Sequence, residues 1–444
     1  LRNERALLSF AAKFLEALKT TSLTSAITPS EIVVVMDTDQ LEVSEVRLQH
    51  RGLVGPSLYE PPAWADAEQR WRFQLGFVLR FILTAQPDFT RPARQPHWKE
   101  EEQSYRAPSG HWHERIFGFF NGHAAFGDDW LPISEWTEQL LFDLLWWPGC
   151  AAPRNELLHT LEGALKAIEN RLAQLRNLQG VSAALLPLRA PGHFQREGKP
   201  LRACVVQMAF PCEDDFEEDD LTMSSALYRI RHRQHLSAAL AAVRSALALR
   251  ETHKGMEGRL DWLILPELAV HPDDVRTHLV PFARAHKTVI LTGLTYQEIV
   301  SGQPLVNSAL WVLPTFDSTR GMQVLVRRQG KKHLAPSEHD YVAKGLVQPF
   351  RPCQWLIGYE WSADASKEPL WLSAAVCFDA TDLCLAADLK NRSDVFAITA
   401  MNRDVNTFDN MAVALHYHMH QLVIVANNGN YGGSNAYAPF KDAL

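Results

Sequence analysis

The sequence lacks several features that would quickly assign a class of protein. It has no run of about 18 apolar residues, so we predict no membrane-spanning helix. Its six cysteines form no CxxC pair and no closely spaced set, which argues against a disulfide framework and favours a reduced, cytoplasmic protein. Basic residues number 44 against 51 acidic ones, so a broad nucleic-acid-binding surface is disfavoured, although a local basic patch stays open.

The chain also lacks an initiator methionine and a signal-peptide apolar core, and it stops at Leu444, soon after Pro439. We therefore expect either a piece of a longer protein or a chain with a shortened C-terminus. Its 444 residues are comfortable for two domains. A composition of 46% hydrophobic and 21% charged residues is that of an ordinary soluble protein.

Residues 1–190 predict a mainly helical domain, because apolar residues recur there at spacings of three and four. Within it, the run Glu31–Met36 predicts a lone strand. The prolines and glycine that follow predict a linker at 191–200. From 201 to 444, strands and helices alternate, which predicts an α/β layered domain.

A long helix is predicted over Asn155–Gln179, with leucines and an isoleucine spaced alternately by three and four residues. This stripe favours packing within its own domain, and a pairing seam with another chain is the alternative. We expect a homo-oligomer. The helical half could also bind a larger polypeptide or a protein partner.

Three segments of the second half supply a thiol and the two groups that would activate it, a carboxylate and an ammonium group. The apolar run Leu372–Val376 stops at Cys377, and Leu263–Leu265 is followed by Pro266 and Glu267. Between them in the chain, a basic run supplies Lys331. Taken singly, each element has a bland explanation: a small core cysteine, a loop carboxylate and a solvated lysine. Their occurrence together at strand ends favours an active site.

The chemistry explains why those residue types belong together. A thiol with a pKa of about 8.5 is only a few per cent thiolate at neutral pH, so it needs a base and a nearby cation. Glu267 can serve as the base when it is partly desolvated. Lys331 can stabilise the thiolate and, with the backbone N–H of Phe378, the oxyanion of a tetrahedral intermediate. This chemistry requires no cofactor and no metal.

Three other motifs have simpler interpretations. The acidic run at 213–220 predicts a solvated loop, with metal binding the lesser alternative. The histidines of His416–His420 lack a glutamate in HExxH order, so we do not predict a metal site there. The tetrad Phe126–Asp129 superficially fits a polymerase turn, but its neighbours are not paired apolar strands, which favours a capping or loop role.

Residues 200–439 contain seven short motifs that together resemble the carbon–nitrogen hydrolase (nitrilase) superfamily. They are, in order, Val206-Gln207-Met208-Ala209, Leu265-Pro266-Glu267-Leu268, Asn307-Ser308, Lys331-Lys332-His333-Leu334, Pro336-Ser337-Glu338, Cys377-Phe378-Asp379, and Ala426-Asn427-Asn428-Gly429 followed by Gly432-Gly433-Ser434 and Pro439. The Lys-x-His-Leu context places the family lysine at Lys331 rather than Lys332.

The resemblance implies an α-β-β-α sandwich preceded here by the mainly helical domain. It implies hydrolysis of a non-peptide carbon–nitrogen bond in a small molecule, an amide more readily than a nitrile, through a covalent thioester. Glu267 would be the general base and acid, Lys331 the stabilising cation and Cys377 the nucleophile. Glu338 would position Lys331 and the substrate, and Asn307 and Asn427 would lie near the pocket.

A rival interpretation keeps the nitrilase-like fold but assigns it a non-catalytic role as a scaffold or small-molecule sensor. Some bacterial antiviral-defence proteins carry a nitrilase-like domain behind a reverse transcriptase. The missing methionine and the helical first half would fit a C-terminal piece of such a protein. Because all three triad residue types are present, we favour the hydrolase.

Overall fold

The computed structural model describes most of the second half of the chain and parts of the first. The described residues are 4–20, 29–37, 42–49, 70–84, 134–144, 159–178, 185–190, 201–254, 259–299, 302–317, 321–351, 353–360, 362 and 367–438. The chain divides into two compact units, Leu1–Gln179 and Gly180–Leu444. None of the described helices has the length and apolar character needed to cross a membrane.

The described part of the first unit contains four helices and one β-hairpin. They are α1 (Glu4–Thr20), β1 (Ile32–Asp37), β2 (Glu42–Leu48), α2 (Arg70–Thr84), α3 (Glu135–Leu144) and α4 (Leu161–Asn177). Helix α4 packs against α1 and buries Ile168, Leu172 and Leu175, which accounts for the apolar stripe of its sequence. A pairing seam with another chain stays a prediction from the sequence.

The strand predicted at Glu31–Met36 is not alone, because β1 pairs antiparallel with β2. The register shifts between Val35 and Met36, so one extra residue lies in β2 at this point. Such a bulge interrupts the alternation of buried and exposed side chains. The buried residues Val43 and Val46 are therefore three positions apart, a spacing that does not look like a strand.

The second unit contains eleven strands and five α-helices among its described residues. The strands are β3 (Leu185–Ala190), β4 (Ala203–Val205), β5 (Trp262–Ile264), β6 (Val289–Gln297), β7 (Val306–Asp317), β8 (Gly321–Gly330), β9 (Gln354–Tyr359), β10 (Leu370–Val376), β11 (Val395–Ala400), β12 (Leu422–Asn427) and β13 (Asn435–Tyr437). The helices are α5 (Ala226–Lys254), α6 (Val280–His286), which continues a π-helical turn at Val275–Leu279, α7 (Pro336–Ala343), α8 (Leu383–Leu389) and α9 (Val405–Met419).

These strands form two sheets that pack face to face. One has five strands in the order β4-β5-β6-β7-β8, and the other has six in the order β13-β12-β11-β10-β9-β3. Helices α5 and α6 bury their apolar side chains on the five-stranded sheet, and α9 packs on β12 of the other sheet. The unit is therefore a mixed α/β sandwich with helices outside both sheets, which agrees with the predicted class.

The boundary between the units differs from the predicted one. Strand β3 pairs in parallel with β9, with Pro187 opposite Leu356, so residues 185–190 belong to the second unit. The proline is tolerated because β3 is the edge strand of its sheet, where a missing N–H costs no ladder hydrogen bond on the open side. The predicted linker at 191–200 lies outside the described residues.

Candidate active site

The topology of the five-stranded sheet brings Glu267, Asn307 and Lys331 to one edge. Strands β5 and β6 are parallel, β7 is antiparallel to β6, and β8 is antiparallel to β7. The ends of β5 and β8 and the start of β7 therefore lie at the same edge of the sheet. The backbone N–H of Lys331 donates to the carbonyl of Asn307 at 2.9 Å, which fixes the register of these two residues.

Lys331 is buried between two carboxylates. Its Nζ donates to Oε1 of Glu267 at 2.9 Å and to Oε2 of Glu338 at 2.5 Å. Lys331 is 1% exposed, whereas its neighbour Lys332 is exposed. The structure thus places Lys331, the lysine chosen from sequence, in the cluster.

Asn307 joins the same two carboxylates through its side-chain amide. Its Nδ2 donates to Oε1 of Glu267 at 2.8 Å and to Oε1 of Glu338 at 2.9 Å. Glu338 also accepts from the Tyr296 hydroxyl at 3.0 Å and from the backbone N–H of Ala335 at 2.7 Å. Four donors therefore hold Glu338 in one orientation at the start of α7.

Cys377 comes from the facing sheet, directly after β10. Its φ of +46° lies in the left-handed region, which costs a non-glycine residue about 1 kcal/mol or more. This backbone turn leads the strand into a short 3₁₀ helix at Cys377–Thr381. The thiol lies close to the Glu267 carboxylate and to the backbone N–H of Met401. That N–H also donates to Oε2 of Glu267 at 3.0 Å.

The surroundings shift the proton affinities of these groups in different directions. Burial, and then the charge of Glu267, raise the pKa of the Cys377 thiol well above its ordinary value. Burial alone would lower the pKa of Lys331, but Glu267 and Glu338 outweigh it and raise that pKa. Burial alone would raise the pKa of Glu338, but Lys331 outweighs it and lowers that pKa. At rest, the site therefore holds a neutral thiol beside a protonated lysine.

The charge of the cluster decides how the thiol can be activated. With both carboxylates ionised and Lys331 protonated, Glu267, Glu338 and Lys331 together carry a net charge of −1. Loss of the thiol proton to solvent would leave a charge of −2 in a buried site, which is unfavourable. Transfer of that proton to Glu267 keeps the charge at −1. The arrangement therefore favours a direct proton transfer from Cys377 to Glu267.

Gly293 allows the backbone of Glu267 to reach this position. The backbone N–H of Gly293 donates to the carbonyl of Pro266 at 2.8 Å. A Cβ added at Gly293 would lie 2.4 Å from the Cα of Glu267, closer than any real contact. Strand β6 therefore needs a glycine where it passes the backbone of Glu267.

The other two predicted pocket residues have different surroundings. Phe378 follows Cys377, and its side chain is 36% exposed. Its backbone N–H lies in the first turn of a 3₁₀ helix, where N–H groups have no partner within the helix.

Asn427, at the end of β12, donates to the carbonyls of Asn402 and Gly432, both in loops next to its strand. It is not among the residues that line the cavity described below.

Asp379 connects the cysteine and lysine segments, a role that sequence reasoning missed. Its carboxylate accepts from the backbone N–H groups of Lys332 at 3.1 Å and His333 at 2.7 Å, and it pairs with Arg351 at 3.2 Å. The residues directly after Lys331 are thus fixed to the second residue after Cys377. The available signal was the Cys-aromatic-Asp motif, which places an acid two residues after Cys377, and the structure buries that acid.

A cavity of about 60 Å³ opens onto the thiol. Cys377, Glu267, Lys331 and Glu338 line it. The remaining wall residues are Glu213, Phe216, Leu268, Tyr296, Ala335, Ser337, Tyr341 and Met401. The space accommodates a few atoms beside the thiol, which suits the reacting end of a small molecule.

The structure describes two of the three remaining sequence motifs, the acidic run at 213–220 and the histidines of His416–His420. The acidic run is not wholly a solvated loop, because Glu213 and Phe216 line the cavity. His416 interacts through Nδ1 with the carbonyl of Gln421. Within the described ranges, no group of His, Cys, Asp and Glu side chains is arranged to hold a metal ion. The tetrad Phe126–Asp129 lies outside the described residues.

Comparison with known proteins yields weak structural similarity. No protein-family model and no curated protein matches the chain. The CN-hydrolase superfamily protein XC1258 of Xanthomonas campestris, solved with an arsenic adduct in its active site, is 14% identical over 54% of this chain and 82% of its own, with a TM-score of 0.34. A cysteine-to-serine variant of an N-terminal amidase is 11% identical over 49% of this chain and 52% of its own, with a TM-score of 0.29. These scores are too low for the overlays to establish a shared activity.

Proposed function

We propose that the unit at 180–444 hydrolyses carbon–nitrogen bonds of small amides through Glu267, Lys331 and Cys377. The observation that carries the proposal is a buried thiol that faces a cavity and lies beside a carboxylate. That carboxylate can take the thiol proton without changing the charge of the site. The sequence motifs that resemble the carbon–nitrogen hydrolase superfamily support it. The preference for an amide over a nitrile comes from that resemblance alone.

In the first step, Cys377 Sγ bonds to the carbonyl carbon as its proton moves to Glu267. The electron pair of the carbonyl bond moves to the oxygen, which becomes an oxyanion. Lys331 Nζ and the backbone N–H of Phe378 are the donors available to stabilise it, and removal of one such donor typically costs about 10²–10³ in rate. A nitrile would instead give a thioimidate at this step.

Collapse of the intermediate breaks the carbon–nitrogen bond. Glu267 returns the proton to the nitrogen, so ammonia or an amine leaves and a thioester remains on Cys377. A water molecule then attacks the thioester and gives a proton to Glu267. The second intermediate expels the thiolate, which recovers its proton, and the acid is released. The site ends with the charge it had at the start.

Glu338 and Asn307 hold the lysine and the base in this scheme. Both oxygens of Glu338 already accept hydrogen bonds, and its pKa is lowered chiefly by Lys331 acting against burial. Glu338 is therefore suited to fixing Lys331, and Glu267, which lies beside the thiol, is suited to moving protons. Asn307 keeps the two carboxylates at a fixed separation.

The test is the rate at which a small neutral haloacetamide labels each cysteine of the full chain, read by peptide mapping. We expect Cys377 to label faster than exposed Cys384 and buried Cys353. Between about pH 6 and pH 8 its rate should stay nearly constant, because the thiol proton moves within the site and not to solvent. Glu267→Gln and Lys331→Ala should slow Cys377, and the matched variant Lys332→Ala should not.

A Cys377 that labels no faster than Cys353 would overturn the hydrolase proposal. The rival role, a non-catalytic scaffold or small-molecule sensor, would then take its place. A place in a defence-type reverse transcriptase assembly, a homo-oligomeric state, a protein partner for the helical half and a cytoplasmic location stay predictions from the sequence. Light scattering of the purified chain would test the oligomeric state directly.

A further inference from the structure

The cavity wall has an unequal balance of charge. Three carboxylates line it, those of Glu213, Glu267 and Glu338, and Lys331 is the one cationic side chain among its described lining residues. The lining groups therefore sum to a charge of −2 when all are ionised. A substrate that enters the cavity meets this negative charge before it reaches the thiol.

All three N–H groups of Lys331 are assigned to partners other than a carboxylate on the acyl chain of the substrate. Its ammonium group is 1% exposed and already donates to both Glu267 and Glu338. Its third N–H is the donor assigned above to the oxyanion, so a carboxylate on the substrate would have to compete with the oxyanion for it or remain unpaired near three negative groups. Either outcome is unfavourable in a partly desolvated cavity.

Glu213 is the acid that faces the cavity without belonging to the triad network. Its side chain is 38% exposed and pairs with Arg403 at 2.8 Å. Arg403 is itself 54% exposed and also pairs with Asp214 at 2.7 Å, so its charge is divided between two acids at the rim. Glu213 thus keeps capacity to accept from a further donor.

The rest of the wall is largely apolar and aromatic. Leu268, Met401, Phe216 and the rings of Tyr296 and Tyr341 surround the space above the thiol. Phe216 and Tyr341 each pack edge-on against Tyr296. Low-dielectric walls strengthen the field of the charges they enclose, so the negative potential acts on a ligand more strongly here than on the open surface.

We propose that the site selects amides whose acyl group carries an ammonium group, accepts neutral ones less readily, and rejects those that carry a carboxylate. Glu213 is the residue that determines this selectivity, by pairing with the ammonium group. This inference rests on the hydrolase function proposed above. The selectivity inference concerns the charge of the acyl chain, whereas the proposed function concerns the bond that is cleaved.

The first test uses three methanethiosulfonates that transfer methyl, ethylammonium or ethylsulfonate thiol groups to cysteines of the full chain. The Cys377 proton moves to Glu267, and Sγ attacks the sulfur that carries the alkyl group. The sulfur–sulfonyl bond breaks, methanesulfinate leaves with the electron pair, and a mixed disulfide remains. Peptide mapping under limiting reagent gives the rate at Cys377 and, as an internal reference for intrinsic reagent reactivity, at exposed Cys384.

We expect the ammonium-to-sulfonate rate ratio at Cys377 to exceed the ratio at Cys384 by about tenfold or more. Glu213→Gln should lower the Cys377 ratio about three- to tenfold, because the group is partly screened by solvent. The matched variant Asp219→Asn removes an exposed acid from the same run outside the cavity lining and should leave the ratio unchanged. Raising the ionic strength should also lower the wild-type ratio.

The second test uses amides of similar length, γ-aminobutyramide, pentanamide and succinamate. We expect kcat/KM to fall in that order, and Glu213→Gln to narrow the gap between the first two. If the neutral methanethiosulfonate fails to modify Cys377 faster than Cys353, the proposed function itself is wrong. If Cys377 is reactive but shows the same charge ratio as Cys384, the hydrolase proposal stands and the charge selectivity is overturned.

Discussion

Each unit of the chain contains a cluster of buried side chains in which a carboxylate pairs with a cation. The cluster around Glu4 and the cluster around Lys331 differ in their balance of charge. In the first unit, Glu4 is fully buried and pairs with Arg171 at 3.4 Å, so one acid meets one base. In the second unit, Lys331 meets both Glu267 and Glu338, so the acids outnumber the base. The extra carboxylate is the one that lies beside a thiol and a cavity.

The Glu4 cluster has the features of a structural element. Its carboxylate accepts from the backbone N–H of Ser134 at 2.6 Å and from the hydroxyls of Ser134 and Thr137 at 2.8 Å each. These contacts tie α1 to the start of α3 and leave no oxygen facing a reactive group among the described residues. Burial of a charged group is therefore not enough to identify an active site.

The comparison teaches that an excess of one charge in a buried cluster is the more useful sign. A balanced pair is satisfied by its own members. An unbalanced cluster is stabilised when a neighbouring group can share its excess negative charge. At Glu267 the thiol of Cys377 can do this by transferring its proton. This view makes separate predictions for the two clusters.

The largest expected effect is on catalysis by Glu267→Gln. We expect a loss of amide hydrolysis of at least about 10³-fold, since the base and acid of every step is removed. Stability should be unchanged or slightly higher, because Glu338 and Lys331 remain as a balanced pair. Steady-state kinetics and urea unfolding check both parts, with Glu251→Gln on the exposed face of α5 as the control. A variant that unfolds would contradict the charge argument.

The next effect is on the stability of the first unit by Glu4→Gln. Because Arg171 would lose its partner inside the fold, we expect a loss of about 2–4 kcal/mol in the free energy of unfolding of that unit. Hydrogen exchange of peptides from α1 and α3 measures it, with the exposed Glu169→Gln as the control. Labelling of Cys377 should not change. Unaltered exchange in α1 would show that the pair is dispensable.

A smaller effect is expected for Asp379→Asn, which tests a positioning residue. The amide keeps one acceptor but loses the charge that holds the backbone after Lys331 and pairs with Arg351. We expect kcat to fall about tenfold, because a small displacement of Lys331 relative to Cys377 misaligns the reacting groups. KM should stay nearly unchanged, because the displacement is too small to alter the cavity. Asp382→Asn, which also removes a partner of Arg351, is the matched control. A rise in KM with kcat unchanged would argue against this role.

The smallest effect concerns acid. The folded-state pKa of Glu338 is lowered from its ordinary 4.5, so its contribution to stability is present above about pH 4.5 and is lost as the pH falls through the lower value. The raised pKa of Lys331 keeps its contribution intact until the pH exceeds its ordinary 10.5. The opening free energy of β8, obtained from hydrogen exchange after correction for the intrinsic pH dependence of amide exchange, should therefore be constant near neutral pH and fall in acid. Glu338→Gln should remove part of this fall, and an unchanged fall would assign it to other groups.

The sequence indicated where the candidate site lies because its strands are simple. The run into Cys377 is almost wholly buried, and Glu267 and Lys331 each follow a strand of the facing sheet. Apolar runs that stop on a polar residue are readable without knowledge of the fold. The motif context also selected Lys331 over Lys332, and the structure buries Lys331 and exposes Lys332.

The features that were missed depend on contacts distant in sequence. Strand β9 was missed because all six of its residues are buried, so its sequence does not alternate between apolar and polar residues. Strand β13 was missed because it is only three residues long. The bridge from Asn307 to both carboxylates requires that α7 bring Glu338 back to the edge of β7, a contact across 31 residues. The left-handed backbone at Cys377 has no sequence signal either, since cysteine is not a residue that favours it.

The close approach at Gly293 has a consequence for how the chain tolerates change. Any side chain there would push against the backbone that carries Glu267, although residue 293 is not among the described lining of the cavity. In a saturation-mutagenesis screen for amide turnover, position 293 should be as depleted of substitutions as the nucleophile itself. A purely chemical inventory of essential residues would overlook it, because its contribution is the absence of a side chain.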